Sequence, residues 1–268
     1  MLDPYKLCEP LNYNTLLASF SKLEYSRDPE VIHDLRLQLK GIRTVIIFCH
    51  TARPSKFPNQ KHIPEIKLIF NHLGVIRDYF QSEKLAPEFF NEESFILKAF
   101  QGELRASRAK AESELVLLLN LTPIEYLKKL NISLEHQIKK WHDNRKLNRI
   151  SKKFVHLTQK RIIKLKKRKL TNDHLHEIRK ELKRIYLIQA AIHSEESQKP
   201  VKELARQLGD LCDLLILKRF LKIFIKANKH NFSKVSNVAL NQVIKCINQE
   251  IKAVRFASID SLNLPFEF

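Results

Sequence analysis

The sequence is organised around the stretch HDLRLQLKGIR at residues 33–43, because the same pattern returns as HEIRKELKRIY at residues 176–186. Both stretches read His, acid, apolar residue, Arg, two further residues, Leu and Lys. If the first stretch is a helix, its cationic side chains fall within about 80° of one another around the axis. These are His33, Arg36, Lys40 and Arg43, while Leu35, Leu39, Ile42 and Ile46 face the opposite side. Each copy is therefore predicted to form a helix with one core face and one cationic face.

A second pair of stretches strengthens the internal repeat. LGVIRD at residues 73–78 corresponds to LGDLCD at residues 208–213, so two of the four glycines occupy matching places. The matching glycines are 135 residues apart and the motif histidines 143, close to half of the 268 residues. We therefore predict a single domain built by tandem duplication, with one half at about residues 1–140 and the other at 141–268.

The remaining sequence favours helices throughout. Only four glycines are present, the prolines lie between periodic segments, and no alternating strand pattern occurs. Short loops favour antiparallel neighbours, so the expected fold is all-α, with two four-helix bundles side by side. The predicted helices are about Tyr13–Ser26, the His33 helix ending before Pro54, Pro64–Lys84, Glu92–Asn120, Ile124–Asn144 after a capping box at Thr122, Leu147–Lys169, a second motif helix capped by Asn172 or Asp173 and ending near His193, Pro200–Asn228, and Ser236–Ala257.

The charge is strongly positive and unevenly distributed. The formal net charge is +19, and the stretch from Lys139 to Arg184 holds 18 Lys and Arg against 4 acids. A balance of this kind indicates a polyanionic partner or an anionic surface.

The cysteine pattern and the apolar segments bear on localisation. Cys8, Cys49, Cys212 and Cys246 form no C-x-x-C pair, which is typical of reduced, buried thiols in a cytosolic protein. The first residues lack the pattern of a signal peptide, and no stretch approaches 18 uninterrupted apolar residues. We therefore expect a cytoplasmic protein that does not span a membrane.

The two copies resemble the signature of the CHAD family, the conserved-histidine α-helical domain. That signature resembles His-x-x-Arg-hydrophobic-x-x-Arg/Lys-Arg/Lys-hydrophobic-Arg, occurs twice, and is followed each time by a helix of the Leu-Gly-x-x-Arg-Asp type. Arg77 and Asp78 fit the later motif. Gly41 and Tyr186 stand where cations are usual, and Cys212 replaces an arginine, so the two copies are not expected to be equivalent.

The resemblance implies a fold and a ligand. The fold is two four-helix bundles related by a pseudo-twofold axis, with the motif helices lining a central basic groove or pore. The ligand is inorganic polyphosphate, and the resemblance implies no reaction, cofactor or metal, with association to polyphosphate granules as a further expectation. The expected polyphosphate-binding residues are His33, Arg36, Lys40, Arg43, Arg77, His176, Arg179, Lys180, Lys183 and Arg184.

The physical chemistry of the motif favours the same ligand class. A polyphosphate chain carries a charge at every unit and has no bases, so it requires cations along a track and no stacking surface. Arg36 and Arg179 can bind phosphate oxygens bidentately, and Lys40 and Lys183 supply point charges. The alternative is that these residues form only a solvated helix face.

Three interpretations are open for His33 and His176. They could be buried core histidines, metal ligands or phosphate contacts. No H-x-x-x-H pair or His/Glu pair with ligand spacing lies near either copy, which disfavours a metal. A phosphate contact predicts tighter binding as the pH falls through the histidine range.

Four acids also recur in matched places, namely Asp34, Glu177, Asp78 and Asp213. They could hold a divalent metal for phosphoryl transfer, or they could orient neighbouring arginines and lysines. We favour the second role, because no arrangement of nucleophile and base accompanies them. The Leu-Gly pair in the same motif is interpreted as close packing of two helix backbones.

Other partners and activities remain as alternatives. Some charges of the belt from Lys139 to Lys169 could line the groove and others face water, and nucleic acid is the rival partner for it. Few aromatic residues interleave with the cations and no nucleic-acid-binding motif is present, so we expect at most weak nucleic-acid binding. Phosphate or sulfate is expected to occupy the same site as polyphosphate. A metal-dependent phosphatase or nuclease is the third possibility.

Overall fold

The structure, a computed structural model, is helical throughout its described part. It describes residues 7–25, 28–55, 57, 64–91, 94–121, 124–141, 144–192 and 198–263. Among these residues there is no strand, which confirms the predicted all-α class. Short 3₁₀ turns occur at Glu9–Leu11 and Ala86–Glu88, and the α-helices are α1 (Tyr13–Tyr25), α2 (Pro29–Ala52), α3 (Pro64–Leu85), α4 (Phe95–Asn120), α5 (Ile124–Lys139), α6 (Asn144–Lys166), α7 (Asn172–Ile192), α8 (Lys199–Ala227) and α9 (Lys234–Asn263).

The two motif helices begin at side-chain caps. The Asp28 carboxylate accepts the backbone N–H of Glu30 at 2.9 Å, and Pro29 occupies the first position of α2. At α7 the capping oxygen is the hydroxyl of Thr171, which accepts the backbone N–H of His174 at 3.2 Å. The predicted cap at Asn172 or Asp173 is therefore wrong, because the helix already includes Asn172.

Most helix ends agree with the predicted ones within a few residues. α9 was expected to end near Ala257 but continues to Asn263, and the end of α5 differs for a clear reason. α5 was expected to reach about Asn144 but ends at Lys139. The chain turns there because the backbone N–H of Trp141 donates to the Ile138 carbonyl at 2.8 Å, which brings the indole into the core at 1% exposure. The predicted capping box at Thr122 lies outside the described residues.

The chain divides into two compact units, and each unit draws on both halves of the sequence. The first unit takes the described residues of Met1–Gly74 and Glu114–Ala205, and the second takes those of Val75–Ser113 and Arg206–Pro265. Both motif helices, α2 and α7, lie in the first unit. The boundary near residue 140 and the pseudo-twofold relation of two bundles stay predictions.

The core of the first unit is built around α2. This helix packs against α1, α5, α6 and α7. Its predicted core face is confirmed, since Leu35, Leu39, Ile42 and Ile46 are at most 1% exposed. Further along α2, the ring of Phe48 meets Trp141 and Phe154 edge-on, with ring centroids 5.9 and 5.5 Å away. Burial of apolar and aromatic side chains on one face fixes which side of α2 carries the cations.

The second unit has its own aromatic core and ion pairs. The ring of Phe100 on α4 contacts Phe90 and Phe224, and Phe224 also contacts Phe232. The Glu83 carboxylate accepts a hydrogen bond from Arg108 at 2.8 Å. This unit therefore has the packed interior expected of a compact body.

Candidate anion-binding site

The cationic face of α2 is partly exposed, as the motif predicts. His33 is exposed, while Arg36, Lys40 and Arg43 are half-buried. Because the opposite face of the same helix is buried, the three cations are held on one side with limited freedom. Side chains ordered in this way lose less conformational entropy when they bind an anion than free surface cations would.

Two of these cations rest on one aromatic ring. The guanidinium carbon of Arg36 lies 4.5 Å from the ring centroid of Phe70 on α3, and that of Arg43 lies 4.4 Å from it. The electron-rich face of the ring attracts both charges without neutralising them. Phe70 was missed from the sequence, and the only available signal was its place four residues before Gly74, in the helix that follows the motif.

Gly74 explains how Arg36 reaches that helix. Nη1 of Arg36 donates to the backbone carbonyl of Phe70 at 3.1 Å. A helix carbonyl points towards the residue four positions later, where a side chain would cover it. A Cβ at position 74 would lie 2.8 Å from Arg36 Nη1. The expectation that Gly74 allows two backbones to approach is therefore wrong, since the neighbour it accommodates is the arginine side chain.

On α7 the cations are accompanied by acids. Arg184 Nη1 donates to Oε1 of Glu181, a residue that is 6% exposed. The other carboxylate oxygen, Oε2, lies 3.8 Å from Nε of Arg161 on α6. Lys180 pairs with Glu177 one turn away. Glu181 and Arg161 were not predicted as site residues, although Arg161 lies inside the basic belt seen in the sequence.

The two copies of the motif come together at their last cations. α2 and α7 are in contact, and the charge of Arg184 adds to burial in lowering the pKa of Arg43 below its ordinary value. Like charges on packed helices repel each other, and an anion that contacts both reduces this cost. The structure therefore brings Arg43 and Arg184, predicted from separate motifs, into one positive region.

The motif histidines are surface residues. His33 and His176 are both exposed, so the interpretation as buried core histidines is wrong. Although His176 is exposed overall, partial burial of its ring lowers its pKa, and the positive charges of Lys180 and Arg179 add to the effect. In the part of the chain described by the structure, no cluster of three or more His, Cys, Asp and Glu side chains is placed to hold a metal ion.

Arg77 lies in the second unit, where it forms an ion pair. Its Nη1 and Nη2 donate to the two carboxylate oxygens of Asp213, each at 3.2 Å. A weaker contact of 3.8 Å joins Arg77 to Asp78. The expectation that these acids orient an arginine is confirmed for Asp213, and the role of Arg77 in ligand binding stays a prediction.

Lys202 lies close to one of the motif departures. Tyr186 occupies the last motif position of α7, and the Nζ of Lys202 lies 5.5 Å from the centroid of its ring. A cation from α8 is thus held near the place where the motif lacks one. Gly41, the other departure, is buried, so a charged side chain there would need to leave the core face.

Comparison with known proteins decides the family. A model of the CHAD domain matches residues 13–222, more than three quarters of the chain. The chain belongs to the CHAD family. The fold of the CHAD domain from the plant Ricinus communis, known from a crystal structure, is similar to this one, with a TM-score of 0.68 over 98% of this chain and 91% of that one at 15% sequence identity. No curated protein matches the sequence significantly.

The geometry of this CHAD domain determines what its site can do. Guanidinium groups fixed by a ring and a carbonyl can donate bidentate hydrogen bonds to an oxyanion. No helix in the described ranges is long and apolar enough to cross a membrane. The arrangement of Arg36, Arg43 and Arg184 is suited to binding an anion with several negative charges.

Proposed function

We propose that this CHAD domain binds inorganic polyphosphate at the cationic faces of α2 and α7 and catalyses no reaction. The observation that carries the proposal is the contact between α2 and α7, which brings the two copies of the motif together, and the charge of Arg184 on α7 accordingly lowers the pKa of Arg43 on α2 further than burial alone does. A chain with one negative charge per unit relieves this repulsion at several points at once.

The residues have different proposed roles. Arg36 and Arg179, together with Arg43 and Arg184, donate hydrogen bonds to phosphate oxygens, and Lys40 and Lys183 contribute mobile charges. His33 and His176 contact the chain at the exposed ends of the two faces. Lys180 completes the proposed set within the first unit, and ligand binding by Arg77 of the second unit stays a separate prediction.

The first test removes the central arginine of each copy without introducing a new charge. In Arg36→Gln combined with Arg179→Gln, two charge-assisted contacts are lost, so the Kd for long-chain polyphosphate measured by calorimetry should rise about a hundredfold, or about 3 kcal/mol. The matched control is Lys129→Gln combined with Lys252→Gln, which removes two exposed charges outside the motif helices. Because Arg36 also contacts Phe70, Lys40→Gln combined with Lys183→Gln serves as a second pair that leaves that contact in place. If both motif pairs behave like the control, the motif faces are not the binding site.

Competition separates polyphosphate from nucleic acid. At about 0.15 M ionic strength, where exposed charges are screened within about 8 Å, long-chain polyphosphate should displace RNA and DNA from the protein. If nucleic acid instead displaces polyphosphate, nucleic acid is the preferred ligand and the proposal is wrong.

Two further experiments address catalysis and localisation. Incubation of polyphosphate with the protein and Mg²⁺ or Mn²⁺ should leave the chain length unchanged on a gel, and shortening of the chain would identify an enzyme. A fluorescent fusion should concentrate at cytoplasmic polyphosphate granules, and the Arg36→Gln and Arg179→Gln variant should not.

A further inference from the structure

A second basic surface of the first unit lies beside the motif helices. It is an open cleft of about 530 Å³ between the carboxyl end of α2 and one face of α6. Among the described residues, four cations of α6 line it, namely Lys153, Lys160, Arg161 and Lys164, together with Leu157 and with His50 of α2. The spacing of 4, 3, 1 and 3 residues places these α6 positions on one side of the helix. They extend over about 16 Å along its axis.

These cations have little local compensation. The sequence from residue 144 to 172 contains no Asp or Glu and twelve Lys and Arg. Within the described part of the chain, no carboxylate pairs with Lys153, Lys160 or Lys164. Like charges one helical turn apart, such as Lys160 and Lys164, oppose helix formation. The carboxyl end of α2 offers at most about half a negative charge, which does not balance four cations.

His50 adds an oriented donor or acceptor to the cleft. Its Nδ1 donates to the backbone carbonyl of Phe57 at 2.8 Å, which fixes the ring and leaves Nε2 for other contacts. The cleft therefore combines mobile charges on α6 with one ring held in place on α2.

Arg161 connects this cleft with the motif site. Arg161 lines the cleft, and its Nε lies 3.8 Å from the same Glu181 carboxylate that accepts a hydrogen bond from Arg184. Arg184 in turn acts on Arg43 of the first motif. The cations of the two regions are thus linked inside the first unit, from Arg43 of α2 through Arg184 of α7 to Arg161 of α6, with the Glu181 carboxylate between Arg184 and Arg161.

We propose that the α6 cleft is an extension of the polyphosphate site that holds the part of the chain running beyond the motif cations, so that long chains bind more tightly than short ones. This inference rests on the proposed function. A short anion such as tripolyphosphate is satisfied at the motif cations and does not reach Lys160 and Lys164. A long chain contacts both regions at once, and the second contact is intramolecular.

The test compares two variants that each lose two exposed lysines. Lys160→Gln combined with Lys164→Gln removes charge from the cleft, and Lys152→Gln combined with Lys129→Gln removes it elsewhere. For each variant, calorimetry gives the Kd for tripolyphosphate, for long-chain polyphosphate and for RNA. We expect the affinity of the cleft variant for the long chain to decrease about tenfold and its affinity for tripolyphosphate to stay unchanged. For the long chain, the magnitude of the slope of log K against log salt concentration should decrease by about one to two. The control pair should change either affinity by less than about threefold.

Each other outcome overturns a specific statement. Equal losses for the long chain in the cleft variant and the control mean that the cleft holds no part of the chain. If the cleft variant loses the same affinity for tripolyphosphate as for the long chain, the cleft does not extend the site and contributes only to the overall positive potential of the protein. Loss of RNA binding alone would assign the cleft to nucleic acid. Failure of the wild-type protein to bind either phosphate ligand refutes the proposed function itself and is recognised before any variant is compared.

Discussion

Replacement of Gly74 by alanine should displace one arginine of the motif while leaving the fold intact. The added Cβ would lie 2.8 Å from Nη1 of Arg36, at least about 0.6 Å inside ordinary van der Waals contact. The end of a long side chain can move by that much, so α3 itself is not disrupted. The hydrogen bond to the Phe70 carbonyl at 3.1 Å and the contact with the Phe70 ring at 4.5 Å should both weaken.

The magnitude follows from two opposing terms. Alanine is favoured over glycine inside a helix by about 1 kcal/mol. Loss of a hydrogen bond from a charged donor costs about 1.5–3 kcal/mol, and a weakened cation–π contact about 0.5–1 kcal/mol, if neither is replaced by water. Arg36 is half-buried and can recover part of this by solvation. We expect Gly74→Ala to destabilise the protein by about 1 kcal/mol.

Gly102 on α4 provides the matched control. A Cβ at this position meets no atom within 4 Å, so Gly102→Ala should stabilise the protein by about 1 kcal/mol. In scanning calorimetry this corresponds to about 2 °C in Tm, upward for Gly102→Ala and downward for Gly74→Ala. The Kd for tripolyphosphate should rise about tenfold in Gly74→Ala only. Equal stabilisation by both alanines would refute the placement of Arg36 against α3.

Three further predictions concern the site and the core. Glu181→Gln removes a buried negative charge beside two arginines, so polyphosphate affinity should rise about threefold in titration calorimetry, while the free energy of unfolding should fall by about 1–2 kcal/mol. The control Glu177→Gln affects an exposed ion pair and should change stability by less than about 0.5 kcal/mol. Equal effects of the two variants would contradict the role of Glu181. Because the pKa of His176 is lowered in the folded protein, the unfolded chain binds the proton more readily, so stability is lost as the pH falls below about 6.5. In urea unfolding, His176→Gln should make the free energy of unfolding less dependent on pH in this range. An unchanged pH dependence would mean that His176 is not responsible for the loss. Phe48→Ala should cost about 4 kcal/mol and shift the fluorescence of Trp141, the only tryptophan, whereas Phe256→Ala at an exposed position should do neither.

The helices and the buried face of α2 could be predicted because their causes are local. An apolar period near 3.6 residues marks the face that packs, and the side chains at Leu35 and Leu39 are fully buried as that period requires. Prolines and capping residues mark the ends. The prediction failed at α5 and at the cap of α7 because a buried tryptophan and a neighbouring threonine decided the geometry there.

The partners of the motif cations could not be predicted, because they lie far away in the chain. Phe70 is 34 residues from Arg36, and Arg161 is 20 residues from Glu181. Such contacts are set by which helices pack together, and helical periodicity carries no information about that choice. The same reason explains why the division into units was not visible, since each unit combines segments from both halves of the chain.

The two motif copies, which were expected to differ, hold their arginines in different ways. On α2, Arg36 and Arg43 are positioned by an aromatic ring, which holds both guanidinium groups by cation–π attraction. On α7, Arg184 is positioned by Glu181, whose carboxylate offsets part of the charge that it orients. Two further cations lie near the second copy, namely Arg161 of α6, close to Glu181, and Lys202 of α8, close to Tyr186. Charge lost from one motif is supplied by neighbouring helices, so the strength of the site depends on how α6, α7 and α8 pack as well as on the motif itself.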